Sequence, residues 1–269
     1  MRRPEDNMIH EAAFTGYGSA ADVYERGRPS FPAEALQKIA AICQLGPGIT
    51  VVELGAGTGK FTRALLPTGA HVTAVEPVKA MREKLAFLSK DISVLAGTAE
   101  SIPLANSSVD VVVAAQAFHW FDGPVALKEI HRVLRPGGHL ILLWNVRDES
   151  VDWVRHLTEI IDVHQGEVPR YRTGRWRQCI DTSVISSSPL FSPLESAAYS
   201  HVHSGTRETV RDRVASISFI AALDQHARAQ VLGQVAKLLS THEQTRASTA
   251  VDLPYRTEVF WCSKLQPGA

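Results

Sequence analysis

The feature that most constrains the fold is a run of apolar segments that alternate with helix-like segments between residues 46 and 147. The segments ITVVELG, HVTAVEP, ISVLAG, DVVVAAQAF and HLILLWNV are apolar at nearly every position. Such continuous apolarity is expected of strands that are covered by helices on both faces. Strands separated by helical patterns predict βαβ crossovers. The sequence therefore predicts an α/β protein with a doubly wound, mostly parallel sheet.

The predicted organisation is one enlarged domain in three parts. Residues 1–45 form an N-terminal lid and a first helix, residues 46–147 form the core, and residues 148–269 hold an insertion at about 151–195 followed by C-terminal strands. In this last part the patterns predict one helix over 207–222 and a final strand over 257–264, after Pro254. The turn Arg135-Pro136-Gly137-Gly138 is predicted to precede the fifth strand.

Composition narrows the function classes. Lysine plus arginine and aspartate plus glutamate both total 28, and this neutral balance does not favour nucleic-acid binding. The three cysteines lack metal-ligand spacing, which favours a reduced compartment and no metal site. No secretory signal is visible, and no apolar run approaches the ~20 residues that would cross a bilayer. We therefore expect a cytoplasmic protein without a nucleic-acid or membrane partner.

The stretch VVELGAGTGKFT, residues 51–62, contains a glycine loop that excludes two common ligand motifs. A P-loop needs glycine where Leu54 stands and a hydroxyl where Phe61 stands. A dinucleotide motif needs its third glycine where Lys60 or Thr62 stands, depending on the starting residue. The loop therefore matches neither a P-loop nor a nicotinamide dehydrogenase.

What remains is an acid followed by glycine at every second position, namely Glu53, Gly55, Gly57 and Gly59. Glycines allow a ligand to approach the backbone closely. Glu76 ends the second strand, 21 residues after Gly55, where an acid can accept hydrogen bonds from both hydroxyls of a ribose. In an open parallel sheet, ligands bind beyond the carboxyl ends of the strands. The pattern predicts a nucleoside ligand with a free ribose.

Five stretches, ELGAGTGKFT, AVEP, GTAESIPL, AAQAFHWF and RVLRPGGHLIL, resemble class I S-adenosylmethionine-dependent methyltransferases in order and spacing. The resemblance covers about residues 50–147. It implies a Rossmann-like methyltransferase fold with seven strands, S-adenosyl-L-methionine as cofactor and S-adenosyl-L-homocysteine as product. The stretches AAQAFHWF and YERGRPSFP (24–32) resemble the type 11 small-molecule branch, which includes trans-aconitate and fungal thiol methyltransferases.

The resemblance also implies a role for each part of the cofactor site. The three glycines would line the methionine part and Glu53 would reach its amino group, while Glu76 with Pro77 would hold the ribose. By the same resemblance, the adenine would contact Thr98, Ala99 and Glu100. The methionine end would contact Ala115 and Gln116, and a lid over the cofactor would contribute Tyr24 and Arg28. Many relatives carry aspartate where this chain has Thr98.

The implied reaction is methyl transfer to a thiol, hydroxyl or carboxylate of a small organic acceptor, with residues 148–269 on the acceptor side. His119 is the candidate general base, and its alternative is a histidine packed against the following helix. Trp120 is a candidate wall of the acceptor site or a core residue. The basic and aromatic stretch 170–178 is a candidate site for nucleic acid or an anionic ligand, and its alternative is part of a lid or a solvated face. A second hypothesis is a cofactor-binding protein without methyl transfer, either a regulatory partner or a cyclase. The oligomeric state stays open.

Overall fold

A computed structural model describes residues 28–88, 92–164 and 190–265 of the chain. These residues form a seven-stranded sheet of order β3-β2-β1-β4-β5-β7-β6. Its strands are β1 Thr50–Leu54, β2 His71–Val75, β3 Ser93–Leu95, β4 Val109–Ala115, β5 Leu134–Arg147, β6 Glu195–Thr206 and β7 Ala250–Ser263. The described helices are α1 Ala33–Cys43, α2 Lys60–Leu65, α3 Lys79–Ala86, α4 Gly123–Val133, α5 Asp152–Asp162, α6 Arg207–Ala215, α7 Ser218–Ala221, α8 Gln225–Thr241 and α9 Glu243–Arg246.

The first five strands form the parallel part of the sheet. β1 pairs in parallel with both β2 and β4, β2 with β3, and β4 with β5. The predicted seven-stranded, mostly parallel Rossmann-like sheet is thereby confirmed. Strand order reverses between β1 and β4, and the carboxyl ends of strands at such a switch point are where open α/β sheets bind ligands.

Both faces of the central strands are buried, as the continuous apolar runs predict. Neighbouring residues of one strand point to opposite faces, and both members of the pairs Val51-Val52 and Val111-Val112 are buried. On one side, Val51 and Val111 belong to an apolar cluster that contains residues of α1 and α2. Burial on two faces therefore explains why these strands do not alternate between apolar and polar residues.

The chain divides into two compact units, and we name them by their content. Of the described residues, the sheet unit comprises 31–88, 92–145, 190–199 and 257–265, and the helical unit comprises 28–30, 146–164 and 200–256. The helical unit has an apolar core of its own, which joins α5, α6, α8 and the first half of β7. No helix in the described part of the chain is long and apolar enough to cross a membrane.

Three predicted boundaries are wrong. The helix predicted over 207–222 is two helices, because the Ser216 hydroxyl donates to the Arg213 carbonyl at 2.8 Å and Ile217 is extended. β7 begins at Ala250 and runs through Pro254, whose carbonyl still accepts a hydrogen bond from the Asp148 amide although proline has no donor.

The third wrong boundary is the start of β5. This strand begins at Leu134, and the predicted turn is an irregularity inside it, where the register with β4 jumps from Leu134 to His139. Gly137 has a φ of +76° there, in the left-handed region that suits glycine. The extra residues are accommodated as a bulge, so the turn signal was local and did not end the strand.

Candidate active site

The glycine loop connects β1 to α2 and lies beside the end of β2. The amides of Gly55 and Ala56 both donate to the Val75 carbonyl, at 2.9 and 3.4 Å. A Cβ on Gly55 would lie 2.8 Å from the Ala117 Cβ, and a Cβ on Gly59 would collide with the side chains of Leu85 and Leu88. These two outer glycines are therefore required by the packing of the protein itself.

The middle glycine has a different environment. Gly57 has a φ of +60°, and among the described residues a Cβ built on it would meet only the Met81 sulfur, at 3.9 Å. In the described part of the chain, no atom therefore requires a glycine at this position by close contact. The space beside Gly57 is the part of the loop that a ligand can approach closely.

Glu76 follows β2 and its carboxylate holds the loop in place. One oxygen accepts from the Gly57 amide at 2.8 Å and the other from the Val78 amide at 2.9 Å. The side chain is buried, and this burial raises the pKa of Glu76. The hydrogen bonds from the Val78 and Gly57 amides and the charge of the Arg82 guanidinium act to lower it. A carboxylate can accept about four hydrogen bonds, so each oxygen keeps capacity for a ribose hydroxyl.

Glu53 is the next-to-last residue of β1, between the apolar residues Val52 and Leu54, and is 1% exposed. The Thr62 hydroxyl donates to its Oε2 at 2.5 Å. Burial raises the pKa of Glu53 from 4.5 to about 8, the Thr62 hydrogen bond lowers it, and the nearby Glu76 carboxylate raises it further. A buried carboxyl with this pKa is poised to ionise when a positive charge comes close.

The loop after β3 holds the residues expected at the adenine. Ala99 is buried, and Thr98 forms an isolated bridge with Ser101. Glu100 Oε1 accepts from the Asp122 amide at 2.8 Å, and Asp122 is the N-cap of α4. Glu100 therefore connects this loop to the start of α4, which gives it a structural contact besides the expected one.

The end of β4 carries a strained residue. β4 ends at Ala115, and Gln116 follows with a φ of +59°, which is uncommon for a residue with a side chain. Its side-chain nitrogen Nε2 donates to the Asn145 carbonyl at 3.5 Å, and the Asn145 side-chain oxygen accepts from the Thr257 hydroxyl at 2.5 Å. Backbone strain of this kind concentrates at functional sites, and Gln116 lies at the switch point of the sheet.

His119 lies in a 3₁₀ turn, Phe118–Trp120, directly after this strand end. It is buried, and its Nδ1 accepts a hydrogen bond from the Trp144 indole at 3.2 Å. An indole nitrogen can only donate, so the Nδ1 lone pair is occupied and the proton of the neutral ring lies on Nε2. The Trp120 ring, half-buried, lies with its centroid 5.0 Å from that of His119. This arrangement favours the packed alternative for His119.

Two of the remaining expected site residues, Pro77 and Arg28, have described hydrogen bonds. The carbonyls of Glu76 and Pro77 both accept from the Arg82 guanidinium, at 2.8 and 2.6 Å. Arg28 belongs to the helical unit, where it is buried and donates to the Ser216 carbonyl at 3.2 Å. Tyr24 and the basic stretch 170–178 lie outside the described residues.

Sequence reasoning missed three polar residues that support the site. Thr62 holds Glu53, Trp144 holds His119, and Asn145 connects Gln116 to Thr257. In the sequence, Thr62 stands out only because it occupies a position where a dinucleotide motif needs glycine. Trp144 and Asn145 close the apolar run of β5, and a polar group at the end of a parallel strand was the signal that could have found them.

The described residues fit S-adenosylmethionine. The sheet unit offers a counterpart for each of three needs of this ligand. The Glu76 carboxylate could accept from its ribose, Glu53 could pair with its ammonium group, and Gly57 leaves room for it beside the backbone. All three counterparts lie on the loops that follow β1 and β2, next to the switch point. The geometry alone is compatible with other nucleosides that carry a cationic group.

Comparisons with known proteins identify the family. The methyltransferase domain family matches residues 52–142. An uncharacterised methyltransferase of Mycobacterium tuberculosis is 39% identical over 241 residues, which are 90% of this chain and 92% of that protein. A malonyl-[acyl-carrier protein] O-methyltransferase of Pectobacterium atrosepticum is 32% identical over 137 residues, which are 49% of this chain and 53% of that protein.

A solved structure extends the match beyond the core. The structure of a candidate type II methyltransferase from Anaeromyxobacter dehalogenans superposes with a TM-score of 0.66 at 21% identity, and covers 89% of this chain and 99% of that one. At this identity the superposition shows the fold, and the Mycobacterium relative shows the family. The chain belongs to the class I S-adenosylmethionine-dependent methyltransferases.

Proposed function

We propose that this methyltransferase transfers the methyl group of S-adenosylmethionine to a small organic acceptor whose accepting atom needs no general base. The observation that carries the proposal is the open side of Gly57 beside the Glu76 carboxylate, at the switch point of the sheet. The bound cofactor supplies a methyl group activated by the sulfonium sulfur. The residues of the chain bind and orient it, and alignment of acceptor, carbon and sulfur supplies most of the catalysis.

Glu76 is proposed to hold the ribose and Glu53 the methionine amino group. The amides of Gly57 and Val78 fix both oxygens of Glu76, so its remaining lone pairs have a defined direction before the ligand arrives. Glu53 would lose its proton when the ammonium group binds, because a neighbouring positive charge lowers the pKa of a carboxyl. Thr62 would keep the carboxylate in one rotamer.

The acceptor class is inferred from His119. Its Nδ1 accepts from Trp144 and its Nε2 carries the proton of the neutral ring, so the ring has no free lone pair with which to take a proton from an acceptor. A carboxylate needs no base and a thiol needs little help, whereas an alcohol needs a base. We therefore rank a carboxylate first, a thiol second and a hydroxyl third. The O-methyltransferase among the relatives has an oxygen acceptor and is compatible with this ranking.

The test is transfer of a labelled methyl group to panels of carboxylic acids, thiols and phenols. We expect one panel to contain acceptors whose mass rises by one methylene, with carboxylic acids giving the fastest transfer. The matched control is Gly57→Val, in which the new side chain would occupy the open side of the loop. Transfer to phenols alone, with a bell-shaped pH profile, would show that a base acts and would overturn the ranking. Cofactor binding without a methylated product from any panel would favour a binding protein over an enzyme of this acceptor class.

A further inference from the structure

A cluster of three metal-ligand side chains lies in the helical unit, apart in sequence from every residue of the proposed active site. Asp152 and His156 are one turn apart at the start of α5, and His242 lies between α8 and α9. One ligand atom from each residue lies within 4.8 Å of the other two. Asp152 Oδ2 is 2.9 Å from His242 Nε2 and 3.6 Å from His156 Nδ1.

The cluster is held by the packing of two helices. Asp152 and His156 are separated by four residues, so their side chains lie on one face of α5. The buried residues of α5 and of α8 belong to one apolar cluster. His242 directly follows α8, and its amide donates to the Leu238 carbonyl at 2.9 Å. Its carbonyl accepts from the amides of Thr245 and Arg246 at 3.0 and 2.8 Å. The backbone at His242 is therefore fixed on both sides before any ion binds.

We propose that Asp152, His156 and His242 form a binding site for a divalent transition-metal ion, with Zn²⁺ as the first candidate. Two imidazoles and one carboxylate are a donor set that suits Zn²⁺ and other borderline ions. Ligands about 2.1 Å from a tetrahedral ion lie roughly 3.4 Å apart. The two distances to Asp152 Oδ2 lie on either side of that value.

The neighbouring groups are arranged so that one carboxylate oxygen remains for the ion. Arg155 donates to Asp152 Oδ1, which leaves Oδ2 directed to the two histidines. His242 Nδ1 accepts from the Gln244 amide at 3.3 Å, and ligation through Nε2 would move the ring proton to Nδ1 and break that long contact.

The site borders an open groove with a volume of about 650 Å³. Both histidines line the groove, together with Glu159 and the apolar residues Ile160 and Leu238. A three-ligand site leaves at least one coordination position for water or a ligand. We infer that this position faces the groove. In addition, an ion would connect α5 to the end of α8 and so stabilise the helical unit.

The test is a calorimetric titration of the untagged, chelator-treated full chain with Zn²⁺. We expect one saturable site per chain, with affinity that falls as the pH is lowered through the titration range of histidine, because a metal-bound imidazole must be unprotonated. His156→Ala and Asp152→Asn should each weaken binding by more than about tenfold. Zn²⁺ should raise the melting temperature of the wild type and not of these variants.

His226→Ala is the matched control. His226 lies in the first turn of α8, about 24 Å along the helix from His242, and His226→Ala should leave the affinity and the melting shift unchanged. Both test variants alter half-exposed side chains, so circular dichroism should show folded chains. Equal affinity in the wild type and His156→Ala, or no saturable binding to the folded wild type, would overturn the proposal and leave the cluster as a hydrogen-bonded ion pair.

Discussion

Replacing Glu53 by glutamine should remove the contribution of this carboxyl to the pH dependence of the free energy of unfolding. Burial raises the pKa of Glu53 from 4.5 to about 8 in the folded chain. Between about pH 5 and pH 7 the unfolded chain has released this proton and the folded chain has retained it. The folded state therefore loses stability as the pH rises from 4.5 towards 8, at roughly 1.36 kcal/mol per pH unit. Between pH 5 and pH 7 this loss is about 2–3 kcal/mol.

Glu53→Gln removes this titration and keeps the shape of the side chain. The free energy of unfolding, measured by urea denaturation at about pH 5 and pH 7, should favour the variant over the wild type by about 2–3 kcal/mol more at the higher pH. Any constant effect of the lost Thr62 contact cancels in that difference. Glu83→Gln, which removes a charge from an exposed side chain, is the control and should give the same difference from wild type at both pH values. Parallel pH profiles for wild type and Glu53→Gln would refute the reasoning.

The same proton should be released when the cofactor binds. If the methionine ammonium group lies beside Glu53, binding near pH 7 lowers the pKa of this carboxyl, and calorimetry in two buffers of different ionisation enthalpy should detect a released proton. Glu53→Gln should bind more weakly and release none. Proton release that is unchanged in the variant would place the source at another group.

Three further substitutions test the proposed site. Gly57→Ala should weaken cofactor binding, and its positive φ should cost only about 1–2 kcal/mol of stability. Gly55→Ala should mainly lower the melting temperature, because its Cβ would meet Ala117. If the two variants lost the same cofactor affinity and the same stability, this division would be contradicted. Glu76→Gln should raise the cofactor Kd by about 10- to 100-fold, since an amide has a single oxygen to accept from Gly57, Val78 and the ribose; an unchanged Kd by calorimetry would remove Glu76 from the site. Trp144→Phe should cost about 1–3 kcal/mol in denaturant unfolding by leaving His119 without its donor, and should leave the pH profile of turnover unchanged; a shifted profile would show that His119 titrates during the reaction.

The local part of the fold and site could be predicted from sequence. Apolar runs identify β1 to β5 because burial on both faces leaves a signal in consecutive residues. The glycine loop and Glu76 could be found because their positions are fixed within one βαβ unit. These features depend on residues that are close along the chain.

What could not be predicted depends on distant contacts. The hydrogen bond between Trp144 and His119 joins β5 to the 3₁₀ turn that follows β4, and the meeting of His156 with His242 depends on how α5 packs with α8. The break at Ser216 is decided by one hydroxyl that competes for a backbone carbonyl, which helical periodicity does not detect. The sequence also predicts that β7 starts after Pro254, because proline usually interrupts strand pairing. The sequence does not reveal that Pro254 needs only its carbonyl here, as the acceptor of the Asp148 amide.

The unequal surroundings of the three glycines have a consequence for how such chains diverge. A descendant released from selection for methyl transfer would still have to fold, so Gly55 and Gly59 would be retained by their neighbours Ala117, Leu85 and Leu88. Gly57 would drift first, towards asparagine or aspartate, which tolerate its left-handed backbone. If Gly57 contacts the cofactor as proposed, we expect the residue at this position to separate catalytically competent members of a lineage from inactive copies that have kept the same architecture.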